Sequence, residues 1–177
     1  VMDAEKIDLA DECVDGVLCR FGLMLMARPG DAVRGARRVL RPGGHIAYAV
    51  WGPPERNRWM TILGKAMAAA GHEVPGGTIE NGGPFCLAGA DRNRHLLESS
   101  GFHHVYVEVL IDVLCFEDFD EYWTVQSQVS GPMGAYLSHL PDGEAGAIRD
   151  ELRPLMTAFE SNGGYEFPSV VLGASAR

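Results

Sequence analysis

Six histidines are the first residues to weigh for chemistry, because imidazole can take or give a proton near neutral pH. His45, His103 and His104 fall where strands are expected to begin, which is the end of a sheet away from ligands. His95 lies on a short surface-helix pattern and His72 in a glycine-rich loop. His139, in a helical stretch, is the histidine that could overhang a ligand face. Asp3 and Glu5 could accept hydrogen bonds from a polar ligand or be ordinary loop acids. Arg20 follows an apolar strand pattern directly, and a charge there is costly unless it points into a cleft or meets a partner. Phe21, Leu23, Met24, Trp51, Trp59, Trp123 and Tyr136 would suit a pocket for a flat or greasy small molecule, or serve as core.

Several chemistries have no motif in the chain. There is no G-x-S-x-G elbow, no H-E-x-x-H, no Walker loop and no G-x-G anywhere. The four cysteines, Cys13, Cys19, Cys86 and Cys115, form no C-x-x-C pair, so neither zinc nor a disulfide framework is expected. Cys19 and Cys115 sit in apolar runs and read as small core residues. A reducing, cytoplasmic setting follows as the default. Fifteen basic against twenty-four acidic residues give a net charge of −9, which disfavours nucleic acid and anionic membrane partners. No apolar stretch approaches bilayer length and no signal peptide is evident, so a cytosolic-type chain without a membrane span is expected.

The elements that must position these residues can be read in order. With 46% hydrophobic residues and a mean hydropathy of −0.03, the 177 residues suit one globular domain. "VDGVLCRF" (14–21) reads as a central strand. Asp31 is a candidate cap for a helix running to about Leu40, with Arg37, Arg38 and Arg41 as cations at its C-terminal end. Pro42 cannot continue the helix, and Gly43 and Gly44 can turn the chain into "HIAYAVW" (45–51), a strand expected to be covered on both faces. Residues 57–70 suit a helix closed by Gly71, and 71–89 a loop. Asp91 is a candidate cap for another helix stopped by Gly101, and 103–116 reads as a third strand. Residues 117–161 read as a helical excursion, broken near Gly131-Pro132 and kinked or restarted at Pro154. "FPSVVLGASAR" is a last strand that could run antiparallel. Alternating strands and helices imply an α/β, doubly wound, Rossmann-like sheet, mostly parallel, with ligands at the carboxyl ends of its strands.

Four segments resemble, in order, those of class I S-adenosylmethionine-dependent methyltransferases. "MDAEKIDLADECVDGVLCRFGLMLM" is similar to the family's D-A-E…D-x-V segment, and "GARRVLRPGGHIAYAVW" to its R-V-L-x-P-G-G helix, turn and strand. "LLESSGFHHVYVE" resembles the entry to the family's sixth strand. "VWGPPERNRW" brings the likeness to the ubiquinone/menaquinone-biosynthesis methyltransferase subgroup.

The resemblance implies transfer of a methyl group from S-adenosylmethionine to a small molecule. By position, Asp3 and Ala4 match the family's adenine-contacting pair. Cys19, Arg20 and Phe21 match the segment that passes the methionine and methyl end, and 117–161 matches an insertion capping the substrate. The family's glycine-rich cofactor loop and ribose-binding acid have no counterpart in this sequence, so the chain is expected to be a C-terminal portion holding strands four to seven. In such a portion strand 14–21 would be a bare edge, open to self-association, for example as a dimer. The alternative is a non-catalytic remnant acting as an interaction or self-associating module.

Overall fold

Apolar segments 14–20 and 40–51 come together first in the sheet, as neighbouring parallel strands. The computed structural model describes residues 1–75, 83–129 and 131–177. Its elements in order are β1 (Val14–Arg20), α1 (Pro29–Val39), β2 (Leu40–Trp51), α2 (Arg58–Ala69), α3 (Ala90–Ser99), β3 (Tyr106–Phe116), α4 (Phe119–Val129), α5 (Pro132–Leu137), α6 (Asp142–Met156), β4 (Glu160–Ser161) and β5 (Gly164–Ala176). The strand order is β1-β2-β5-β3, with β4 paired to β5. β1 runs parallel to β2, whereas β5 runs antiparallel to both β2 and β4. The fold is α/β with a mixed sheet, and its last strand is antiparallel, as the sequence allowed.

The chain divides into two compact units. The first comprises Val1–Pro53, Gly77–Leu110 and Val170–Arg177; the second comprises Pro54–Gly76 and Ile111–Ser169. The second unit contains the whole helical excursion of 117–161 and adds α2, which packs against α6. Its core joins Ile62, Leu63 and Met67 of α2 with Tyr122, Ile148, Leu152, Met156 and Phe167. The core of the first unit joins Val33 and Ala36 of α1, Ile46, Tyr48 and Val50 of β2, Leu97 of α3, and Leu172 and Ala174 of β5.

Several expectations need correction. β2 is not covered equally on both faces: Ile46, Tyr48 and Val50 are buried, while Ala47, Ala49 and Trp51 are half-buried. Its even-numbered side chains enter the core that α1 and α3 share, and the odd-numbered ones face the other way. β1 is not central, as its apolar pattern suggested, but lies at one end of the described sheet, the edge position that the resemblance implied, and Leu18 is 87% exposed. Cys115 is exposed on β3 rather than core, because β3 lies at the opposite end; Cys86, in the loop, is the buried cysteine.

The helix starts also differ. Pro29 occupies the first turn of α1 and Arg28 its N-cap, so Asp31 lies inside the helix. Gly89 occupies the N-cap of α3, ahead of Asp91. Pro154 neither stops nor restarts α6, which runs through it and ends at Met156. The glycine turn after α1 is a bulge within β2: Val14 pairs with Leu40 and Gly16 with His45, while Gly43 takes φ 82°. His103 and His104 precede β3 instead of beginning it. Residues 76–82 of the expected loop lie outside the described residues.

Candidate functional site

Phe21 directly follows β1 and Trp51 ends β2, and their rings stack with centroids 4.2 Å apart and planes at 19°. The Phe21 N–H continues the ladder by donating to Ala49 O at 2.9 Å, yet the residue takes φ 55°, a left-handed conformation unusual for an aromatic residue. The chain then turns through Gly22, whose Cβ position would lie 3.2 Å from Cys19 Sγ. Met24 closes the turn: its Sδ accepts from the Trp51 N–H at 3.5 Å, and its carbonyl accepts from Cys86 Sγ at 3.0 Å. Burial pushes the Cys86 thiol pKa up, so it stays protonated and donates. Gly52 follows Trp51 and donates to Val170 O at 2.8 Å; a Cβ there would meet Val170 Cγ1 at 2.6 Å.

Of the residues expected at this strand end, Cys19, Phe21 and Trp51 are half-buried. Leu23 and Met24 are buried in the core of the first unit. Arg20 is exposed on the edge strand, and its guanidinium makes no ion pair among the described residues; exposure removes the desolvation cost the sequence implied.

The N-terminal loop is tied to α1 by charge. Arg38 donates to Ile7 O at 2.6 Å, Leu9 O at 2.7 Å and Asp11 Oδ1 at 2.6 Å. Glu5, its side chain 15% exposed, accepts from the Arg28 N–H at 3.0 Å and pairs with Arg28 Nε at 3.5 Å. Arg28 Nε also lies 3.1 Å from Asp31 Oδ2. Glu5 is thus an anchor for the loop. Asp3 and Ala4 are exposed on that loop, with Asp3 Oδ1 accepting from the Glu5 N–H at 2.9 Å.

Trp59, Trp123 and Tyr136 belong to the second unit and are half-buried against its core. The carbonyl of Trp59 accepts from Tyr122 Oη at 2.7 Å and from Gln126 Nε2 at 3.1 Å. The Arg149 guanidinium lies 5.1 Å from the ring centroids of both Trp123 and Phe119. Tyr136 Oη lies 3.0 Å from His72 Nδ1, with the two rings edge to face. An open cavity of about 590 Å³ is lined by Pro75, Pro132, Ala135, Tyr136, His139 and Leu140. Of the expected pocket residues, Tyr136 lines it; so does His139. Sequence reasoning missed His72, since no local pattern links it to a tyrosine 64 positions away. Among the described residues no group of histidine, cysteine and acidic side chains could hold a metal ion.

Asp3 offers a carboxylate acceptor for an amino group, and Phe21 on Trp51 offers an apolar ring surface. The 177 residues hold no G-x-G turn.

Residues 1–48 match a family model described as a methyltransferase domain. The ubiquinone/menaquinone biosynthesis C-methyltransferase UbiE of Azotobacter vinelandii is 34% identical over 101 residues, covering 57% of this chain and 37% of the relative. Its counterpart in Pseudomonas putida is 32% identical over the same length, covering 57% and 36%. The chain therefore spans little more than a third of the length of the curated relatives it matches. A Bacillus halodurans protein assigned as a methyltransferase superposes with a TM-score of 0.55 at 18% identity, over 99% of this chain and 69% of that one. The YcgJ protein of Bacillus subtilis gives 0.53 at 14% identity, over 98% and 67%.

Proposed function

We infer, from a chain that resembles class I S-adenosylmethionine-dependent methyltransferases in sequence and shares their α/β fold, that it serves methyl transfer to a small molecule. The observation that carries this reading is the Phe21–Trp51 stack at the carboxyl ends of two parallel strands, where sheets of this kind take their ligands. Cys19, Arg20 and Phe21 would pass beside the methyl end of the cofactor, and Asp3 and Ala4 would meet its adenine. When bound, the cofactor supplies an already activated sulfonium methyl, so the protein needs chiefly to align the acceptor with it. Trp51 and Met24 support that alignment by fixing the turn after β1. In the second unit, Trp59, Trp123 and Tyr136 remain the residues proposed for the acceptor, whereas Leu23 belongs to the core of the first unit.

The methionine and ribose parts of the cofactor call for a glycine-rich turn and an acid beyond those that residues 1–177 supply. Methyl transfer is therefore proposed for the activity of the whole protein, with residues 1–177 contributing the Asp3 and Phe21–Trp51 contacts. Four free cysteines support a reducing, cytoplasmic setting, and no described helix is long and apolar enough to cross a membrane. Calorimetric titration with S-adenosylmethionine and its demethylated product tests the reading.

A second reading rests on a different observation. β1 ends the described sheet with Leu18 87% exposed, which supports a self-associating module that pairs copies along this edge. Light scattering on a sizing column decides it: a dimer that Leu18→Lys converts to monomer is expected, and a monomer at high concentration contradicts it.

A further inference from the structure

Cys86 lies in "GPFCLAG" (83–89), a segment whose glycines and proline mark it as loop, yet its side chain enters the core of the first unit. The loop around it is held in place. The Cys86 N–H donates to Gly83 O and the Ala88 N–H to Phe85 O, both at 3.1 Å. Asn93 of α3 donates through Nδ2 to Leu87 O at 2.7 Å and Gly89 O at 2.8 Å. From this fixed loop the thiol, kept protonated by burial, donates to Met24 O at 3.0 Å. No backbone N–H among the described residues is bonded to that carbonyl. Met24 is gripped a second time at its sulfur, which accepts from the Trp51 N–H, and the Trp51 ring carries the left-handed Phe21.

We propose that Cys86 is a positioning residue for this strand end: through Met24 it holds Phe21 and Trp51 in the arrangement that receives ligand. The ligand part rests on the methyl-transfer reading; the positioning part rests on the contacts alone. A thiol suits the place, being a weak donor on a small apolar side chain. Without it Met24 O is buried and loses its donor, which is costly. The turn regains a partner for that carbonyl only by rotating the peptide, which draws Met24 Sδ away from the Trp51 N–H. The Trp51 and Phe21 amides therefore report on a side chain that touches neither ring's stacking face.

Cys86→Ala, Cys86→Ser and Val33→Ala versions of the full chain are compared with wild type. Nitrogen–proton correlation spectra are recorded without ligand, and the demethylated cofactor product is titrated by calorimetry. Cys86→Ala is expected to displace the Phe21 and Trp51 amide signals and to weaken binding about threefold, the lower end of one net hydrogen bond. Cys86→Ser, which keeps a donor, restores both. Val33→Ala opens a cavity in the same core from α1, so it lowers the urea midpoint while leaving the two amides and the affinity in place. Unmoved amides in Cys86→Ala, equal displacement in Val33→Ala, no recovery in Cys86→Ser, or unchanged affinity beside displaced amides would overturn the proposal. A wild-type chain that binds no ligand contradicts the methyl-transfer reading instead, and the ligand-free spectra still decide whether Cys86 positions Trp51.

Discussion

The Phe21 ring lies flat against Trp51, 4.2 Å between centroids, from a backbone held at φ 55°. A left-handed phenylalanine is strained, and such strain persists only where surrounding contacts over-determine it. Here three do: the bond to Ala49 O, the stack on Trp51 and the turn that Met24 closes. The Trp51→Ala chain should therefore lose about 2–4 kcal/mol, through burial, the stack and the unsupported turn. Urea unfolding measures the loss, and Trp51→Phe, which retains a stacking ring, should recover most of it.

Two buried tyrosines differ in whether their hydroxyls are satisfied. Tyr48 is 4% exposed and its hydroxyl has no hydrogen-bond partner among the described residues, whereas Tyr122 donates to Trp59 O at 2.7 Å. Tyr48→Phe should be neutral or stabilising by up to about 1 kcal/mol, and Tyr122→Phe should cost about 1 kcal/mol.

The same tyrosines give the protein an alkaline limit. Burial raises both phenol pKa values well above the ordinary 10.0. Above pH 10 the unfolded chain sheds these protons while the folded chain retains them, so folding stability falls as pH rises from there. Below pH 10 this contribution is fully present. Unfolding curves from pH 8 to 11 should show the decline, with a shallower slope in Tyr48→Phe.

Ser169 Oγ donates to Asn57 Oδ1 at 2.8 Å, with both residues at most 1% exposed. Asn57→Ala strands a buried hydroxyl and should cost about 1–3 kcal/mol. Ser169→Ala should cost less than Asn57→Ala, and the double variant should fall short of the sum, which a double-mutant cycle measures.

Thiol labelling should rank the cysteines by environment. Cys115 is exposed and should react first, Cys13 and Cys19 more slowly. Cys86, buried and donating to Met24 O, should react only when the chain unfolds.

Much of the first unit was legible because local chemistry and tertiary structure agree there. Arg37 and Arg38 close α1, Gly43 takes the positive φ that the turn requires, and Ile46–Trp51 has no alternative to strand. What was hidden depends on distant partners. Apolar periodicity marks β3 as a strand but cannot say that it ends the sheet, so Cys115 looked like core and is exposed; the edge at β1 came from the resemblance and not from periodicity. Asp31 has good capping chemistry, yet Pro29 with its fixed φ sets the start of α1 earlier. Cys86 and Leu87 lie in a glycine- and proline-rich segment that composition marks as loop, and they enter the core all the same. At the candidate site, the positions of Phe21 and Trp51 were legible and their stacking was not. The pairing of Tyr136 with His72 had no local signal at all.

Calorimetric titration of the full 177-residue chain with S-adenosylmethionine and its demethylated product tests the central claim most directly. Because residues 1–177 supply only the Asp3 and Phe21–Trp51 contacts, the account predicts weak, saturable binding of both at millimolar ligand, weakened further in Trp51→Ala and in Asp3→Ala. No heat of binding at millimolar ligand, from a chain shown by circular dichroism to be folded, would contradict it.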